Sequence, residues 1–157
     1  MKQLFLFASI AVASGLLFTN LYTSLIDARS WGANIPQSIQ TAREYFKTVN
    51  PGNFFRIFSP ASQVLALLSL ILFWKVSVTI RIYLGLALML YISVDVFTFA
   101  YFYPRNSILF EKGSLTDIDT LKNALSGWRS MNWLRSLMIL AGLVFSFLSL
   151  HQVYTAK

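Results

Sequence analysis

The chain contains no cysteine and a single histidine, His151. The first absence excludes disulfides, thiol nucleophiles and thiolate-held metals. The second excludes a histidine-rich metal cage. Acidic residues are also scarce, with 6 Asp and Glu against 13 Lys and Arg and a formal net charge of +7. Charged residues of both signs make up only 12% of the 157 residues, where a soluble domain usually carries about 25%. Most of this surface therefore faces something other than water. The basic residues are scattered among apolar stretches rather than gathered in a patch. That distribution suits anionic lipid headgroups and topology signals and argues against a nucleic-acid partner. No metal site and no cofactor are expected from these residue types.

What is present is apolar. The chain is 56% hydrophobic, with a mean hydropathy of +0.60. A membrane-crossing helix needs about 20 mostly apolar residues, and four segments qualify: about 4–26, 54–74, 80–103 and 132–153. The opening "MKQLFLFASIAVASG" has a basic start and an Ala-Val-Ala triplet, as a signal peptide would. Apolar character resumes with "LLF", however, and a retained first helix is expected. The expected fold is all-α: one domain over 1–157, an integral membrane four-helix up-down bundle of a plasma or inner membrane.

Only a short turn around Lys75 to Thr79 joins the second and third spans, which makes them an antiparallel hairpin. The loops Asp27 to Asn53 and Pro104 to Met131 are long and, with alternating spans, lie on the same side. Loops of that length are often functional. The first is expected to hold a helix within "NIPQSIQTAREYFKTVNPG", stopped by Asn-Pro-Gly and lying along the interface. The second is expected to hold another, capped by Thr116, with Ile118, Leu121 and Leu125 on its apolar face. Asp117 and Asp119 suit the dipole at that helix start. The basic residues do not settle the orientation once Arg56, Arg105 and Arg129 are reserved for a site.

The polar residues of all four spans gather at the end nearest the long loops. They include Asn20, Thr23, Ser24 and Asp27 on the first span, and Arg56, Ser59, Ser62 and Gln63 on the second. Asp95, Thr98, Tyr101 and Tyr103 follow on the third, and Asn132, Arg135 and Ser136 on the fourth. At about 1.5 Å of rise per residue, Asn20, Gln63 and Arg135 lie roughly 10 Å below the loops and Asp95 roughly 13 Å. Trp128, Asn132, Arg135 and Ile139 share one helical stripe. A charge at such depth costs about 2.5–3.5 kcal/mol on insertion scales at the helix centre. It therefore needs a partner, and Asp95 with Arg135 is the natural pair. Polar layers often only hold helices together, and Gly15, Gly85 and Gly142 suit close helix packing. Tryptophans such as Trp31, Trp74, Trp128 and Trp133 commonly form interfacial belts, and His151 reads as an interfacial residue at the opposite end. What favours a site is convergence: so many polar residues at one depth, under aromatic-bearing loops, describe a pocket for a small aromatic or amphipathic molecule. The polar residues stop mid-membrane, which argues against an ion path. Membrane lipid and this ligand are the expected partners.

The motifs "YPRN" (Tyr103 to Asn106) and "WRSMNWLR" (Trp128 to Arg135) resemble those of the anthrone oxygenase-like family of small four-span membrane proteins. That family typically shows Pro-x-Asn after its third span, then Trp-x-x-x-Asn-x-x-Arg entering the fourth. Pro104 and Asn106 match the first, and Trp128, Asn132 and Arg135 the second. "GLLFTNLYTSLID" and "WGANIPQS" are similar in style to its first span and loop. The resemblance implies oxidation of an anthrone to an anthraquinone by dioxygen without metal or flavin, with Asn106, Asn132 and Arg135 in the shared site. Such chemistry needs a base and an oxyanion stabiliser. Asp95 is the candidate base, and Arg135 and Asn132 the candidate stabilisers. Asn20, Asp27, Gln63, Tyr103, Asn106 and Trp128 are the candidate ligand contacts. An aspartate paired with an arginine is a weak base, so the expected pair and the expected catalytic role pull against each other. The alternative reading is a non-catalytic membrane protein whose polar layer serves folding or assembly.

Overall fold

The computed structural model describes residues 2–111 and 114–155. Among these, five helices account for the architecture: α1 (Lys2–Trp31), α2 (Gln37–Tyr45), α3 (Pro51–Phe73), α4 (Val78–Glu111) and α5 (Ile118–Thr155). All but α2 are long and apolar enough to cross a membrane. They form a ring in which α1 packs on α3, α3 on α4, α4 on α5 and α5 back on α1. This is the expected up-down order, and the chain is an integral membrane protein. Its outward faces carry apolar side chains such as Leu4, Phe18, Ile71, Met89 and Phe147.

The helices are longer than the expected spans. α5 has 38 residues and measures about 57 Å at normal rise, against a hydrocarbon core of about 30 Å. The long loop expected over Pro104 to Met131 is therefore mostly helix. α4 runs on through "YPRN", and the helix expected near Thr116 is the first turns of α5 itself. α4 passes Pro104 because a wider π turn, Thr98–Phe102, precedes it and Pro104 is the second residue of the next α-helical turn, Tyr103–Asn106. A proline at that position owes no hydrogen bond to the preceding turn. A second π turn, Thr23–Asp27, interrupts α1 at the end nearest the long loops.

Two helix starts differ from expectation. Asn-Pro-Gly does not stop α2 but opens α3. The Asn50 side chain accepts from Gly52 N at 2.9 Å, Asn50 N donates to Asn53 Oδ1 at 3.0 Å, and Pro51 takes the first helical position, where its missing N–H costs nothing. α5 is capped by Asp117, which accepts from Thr120 N at 3.1 Å. Thr116 instead bonds the Ser114 hydroxyl. Asp117 is held below the usual carboxylate range by its bonds to Thr120.

Two apolar cores are stacked end to end. The deep core, within the membrane, joins residues such as Leu6, Ala13, Leu84, Tyr91 and Leu143. The cap core joins Trp31, Ile39, Phe102, Leu109, Leu121 and Trp128. α2 belongs to the cap: Ile39 and Ala42 are buried while Tyr45 at its end is exposed. Arg43 fastens α2 to the end of α4 by donating to the carbonyls of Ile108 and Leu109, at 2.9 and 2.7 Å. Of the glycines expected at helix contacts, only Gly142 serves one. A Cβ there would lie 2.5 Å from the Tyr91 ring, whereas Gly15 and Gly85 have nothing within 4 Å.

Candidate functional site

The polar layer lies where the two cores meet, and its main feature is a reciprocal clamp between α1 and α5. The Asn20 Nδ2 donates to Asn132 O at 3.2 Å and to Ser136 Oγ at 2.7 Å. Asn132 Nδ2 donates to Asn20 O at 3.2 Å and to Ser24 Oγ at 2.6 Å. Each serine in turn donates to the carbonyl of the asparagine four residues before it. The two Asn-x-x-x-Ser segments are thus related by an approximate two-fold axis. Antiparallel packing makes this possible, because it lets the same motif on both helices face itself.

The symmetry ends at the amide oxygens. Asn20 Oδ1 accepts from Arg135 Nη2. Asn132 Oδ1, although buried, has no partner. Arg135 is only 7% exposed, and its guanidinium lies over Phe102 at 4.2 Å, Phe55 at 5.3 Å and Trp128 at 5.9 Å. Rings at that range attract a cation, more so away from water. The Nε–H of Arg135 is buried without an acceptor.

Asp95 is held from the other side of the bundle. Ser59 Oγ donates to one carboxylate oxygen at 2.6 Å and Gln63 Nε2 to the other at 2.7 Å, both from α3. Asp95 and Arg135 line the same cavity, but among the described residues no ion pair or hydrogen bond joins them. The expected direct pair is therefore replaced by two separate anchorages. Two neutral donors hold the carboxylate, and a neutral acceptor with a ring cage holds the guanidinium.

Above them, Trp128 ties the two family-like motifs together, its Nε1 donating to Asn106 Oδ1 at 2.9 Å. Trp128 also meets Trp31 edge-on at 5.2 Å, and Trp31 meets Phe110 at 4.8 Å. Arg105 stacks 3.5 Å over Tyr101. That pair fills the space beside Gly127, where a Cβ would approach both to 3.0 Å.

These walls enclose a cavity of about 610 Å³. That volume falls within the usual small-molecule range of about 300–1,000 Å³. Of the nine residues picked out from sequence, Asp95, Arg135, Tyr103, Asn106 and Trp128 line it. Asn20, Asn132 and Gln63 stand behind the wall, where they hold Arg135, α1 and Asp95 respectively. Asp27, half-buried on the π turn of α1, does not line it. Sequence reasoning missed three contributors. Tyr91, in a stretch that reads as purely apolar, lines the floor and shares a hydrogen bond with Ser146 at 3.1 Å. Phe55 and Phe102 cage Arg135, yet in a chain with 14 phenylalanines no local pattern singles them out. A pairing of Tyr91 with Gly142 would have needed knowledge of how α4 and α5 face each other. Among the described residues, no group of His, Asp and Glu is placed to hold a metal ion.

No curated protein and no solved structure matches the chain. Residues 53–145 match the family model described as anthrone oxygenase. That range covers Asp95, Asn106, Trp128, Asn132 and Arg135, the resembling motifs among them, but leaves Asn20 outside. The chain belongs to the anthrone oxygenase family.

Proposed function

We propose that the cavity binds a flat phenolic or anthrone-type compound and oxidises it with dioxygen. One observation carries the proposal: Arg135 presents a buried Nε–H with no acceptor, in a ring-lined wall of a cavity that also contains a carboxylate. A buried donor left unpaired costs about 1–3 kcal/mol, more on a charged group. A ligand oxyanion would recover that cost. In the proposed reaction, Asp95 removes a proton from the CH₂ between the two aryl rings of an anthrone. The electron pair left behind spreads onto the carbonyl oxygen, which Arg135 stabilises. The resulting carbanion-enolate supplies electrons to dioxygen and a C–O bond forms. Loss of water from the hydroperoxide leaves the quinone, so that anthrone and O₂ give anthraquinone and H₂O. Asn132 and Asn20 act here as positioning residues, because they orient α1 and Arg135 without lining the cavity.

The test is oxygen uptake by the purified protein with anthrone, followed together with quinone absorbance. Equal consumption of oxygen and formation of quinone is expected. Arg135→Lys keeps the charge but removes the Nε–H, and Asp95→Asn removes the base; both should abolish turnover while the helical circular dichroism signal persists. A wild-type protein that neither consumes oxygen nor changes its tryptophan fluorescence with anthrone would refute the proposal. The non-catalytic alternative draws on the Asn20–Asn132 clamp, which has the form of interhelical cement. Under that reading Arg135→Lys would lower thermal stability and alter nothing else.

A further inference from the structure

The cavity is not closed equally on all sides. Every lining residue on α1 and α5 is buried: Leu16, Thr23 and Trp31 on the first, Trp128, Arg135 and Ile139 on the second. The exposed lining residues are on α3 and α4, Arg56 and Pro60 on the first and Phe99, Tyr103 and Glu111 on the second, with Lys47 and Asn50 just before α3. Phe99 is 58% exposed although it lines the cavity. The opening therefore runs down the seam between α3 and α4 from the polar residues at its upper end.

The depth of that seam decides what it faces. Pro60 lies one turn deeper than Arg56, about 6 Å, and Phe99 about 9 Å deeper than Arg105. Apart from Asp95, which is held inward by Ser59 and Gln63, the charged side chains at this end of both helices lie above Pro60 and Phe99, which sets the seam toward the acyl chains. Regular backbone bonding also lapses on both sides of the seam. Pro60 cannot donate to the Arg56 carbonyl, and α4 widens into its π turn at Thr98–Phe102. Higher up, the same slot is rimmed by polar residues, Lys47, Asn50 and Glu111.

We infer that the α3–α4 seam is a lateral portal through which an uncharged, flat aromatic compound dissolved in the bilayer enters the cavity between Pro60 and Phe99. This deepens the proposed function and rests on it for the identity of the ligand. It assigns the substrate to the membrane-partitioned, low-charge class, not to water-soluble conjugates. Dioxygen, which also prefers hydrocarbon to water, takes the same route.

The test uses the full chain in phosphatidylcholine nanodiscs. The native sequence has no cysteine, so a single introduced cysteine carries one nitroxide label. Val94→Cys and, independently, Ser62→Cys place the label on the buried cavity wall. Ile71→Cys marks the lipid face and Lys47→Cys the aqueous rim. Power-saturation EPR then compares relaxation by dioxygen, which is lipid-soluble, with relaxation by a water-soluble nickel chelate. The interior labels should resemble Ile71→Cys, with dioxygen dominating several-fold. Interior labels that resemble Lys47→Cys, with the nickel chelate dominating, would overturn the portal whether or not anthrone binds. A Phe99→Cys protein capped with N-cyclohexylmaleimide should take up anthrone several-fold more slowly than one capped at Lys47→Cys. Equal rates would also overturn it. If dioxygen dominates but anthrone leaves the interior labels unchanged, the portal stands and the proposed ligand falls.

Discussion

Asn20 and Asn132 look equivalent in the clamp, and their unequal load gives a sharp prediction. Each is fully buried and donates two hydrogen bonds across the α1–α5 contact. Truncation to alanine removes the same atoms at both positions, so cavity costs cancel in the comparison. An interhelical bond in a membrane is worth about 0.6 kcal/mol on average, so the two donated bonds contribute about 1 kcal/mol in either variant. Only Asn20 also accepts from the Arg135 guanidinium. A hydrogen bond to a charged group is worth about 1.5–3 kcal/mol. Asn20→Ala should therefore cost about 3 kcal/mol beyond the shared cavity cost, and Asn132→Ala about 1 kcal/mol. The bonds run from each side chain to the partner's backbone and serine, so neither truncation removes the other's contacts. Despite contact, the double variant should be additive to within about 0.5 kcal/mol. Reversible unfolding in mixed micelles, followed by circular dichroism, measures all three. If Asn132→Ala costs as much as Asn20→Ala, Arg135 does not depend on Asn20, and the reasoning fails.

Gly142→Ala should destabilise by about 1–3 kcal/mol through overpacking against the Tyr91 ring, and a Tyr91→Leu background should remove most of the loss. Gly15→Ala, with open space around it, should instead be neutral or raise the melting temperature, since alanine favours helix by about 1 kcal/mol. Asn106→Ala should lower thermal stability in the wild-type background and much less in a Trp128→Phe background. The single change strands the buried indole N–H, a loss of about 1–3 kcal/mol, whereas phenylalanine has no N–H to strand. The carboxylate of Asp117, depressed by its bonds to Thr120, supports the start of α5 above its unfolded value. That support should vanish as pH falls through the lower folded value. The protection of the Thr120 amide, its exchange rate relative to an unstructured amide at the same pH, should then fall below about pH 4, and Asp117→Asn should flatten that pH dependence.

The number of spans, their alternation and the depth of the polar layer were all legible in the chain, because helical rise per residue is constant and apolar length must match the bilayer. The inward stripe Trp128, Asn132, Arg135, Ile139 followed from helical periodicity alone, and all four side chains are buried. The ends of the helices were less legible. "YPRN" and Asn-Pro-Gly both read as breaks, yet one continues a helix past a π turn and the other starts one. In each case the proline's missing N–H falls where no bond is owed, a fact that depends on the register of the turns before it.

Which side chain meets which was decided only in three dimensions. Depth put Asp95, Arg135, Asn20 and Gln63 in one layer, and charge suggested that Asp95 and Arg135 would pair. Instead Asp95 bonds Ser59 and Gln63 of α3, and Arg135 bonds Asn20 of α1. Rise along a helix sets height, but partner choice also needs the rotation of each helix about its axis. The π turns at Thr23–Asp27 and Thr98–Phe102 alter that rotation within the site itself. The order of spans and the level of the polar layer are thus properties of the sequence. The clamp, the caged guanidinium and the opening at the α3–α4 seam are properties of the packed bundle, because each depends on angles between helices that no single helix encodes.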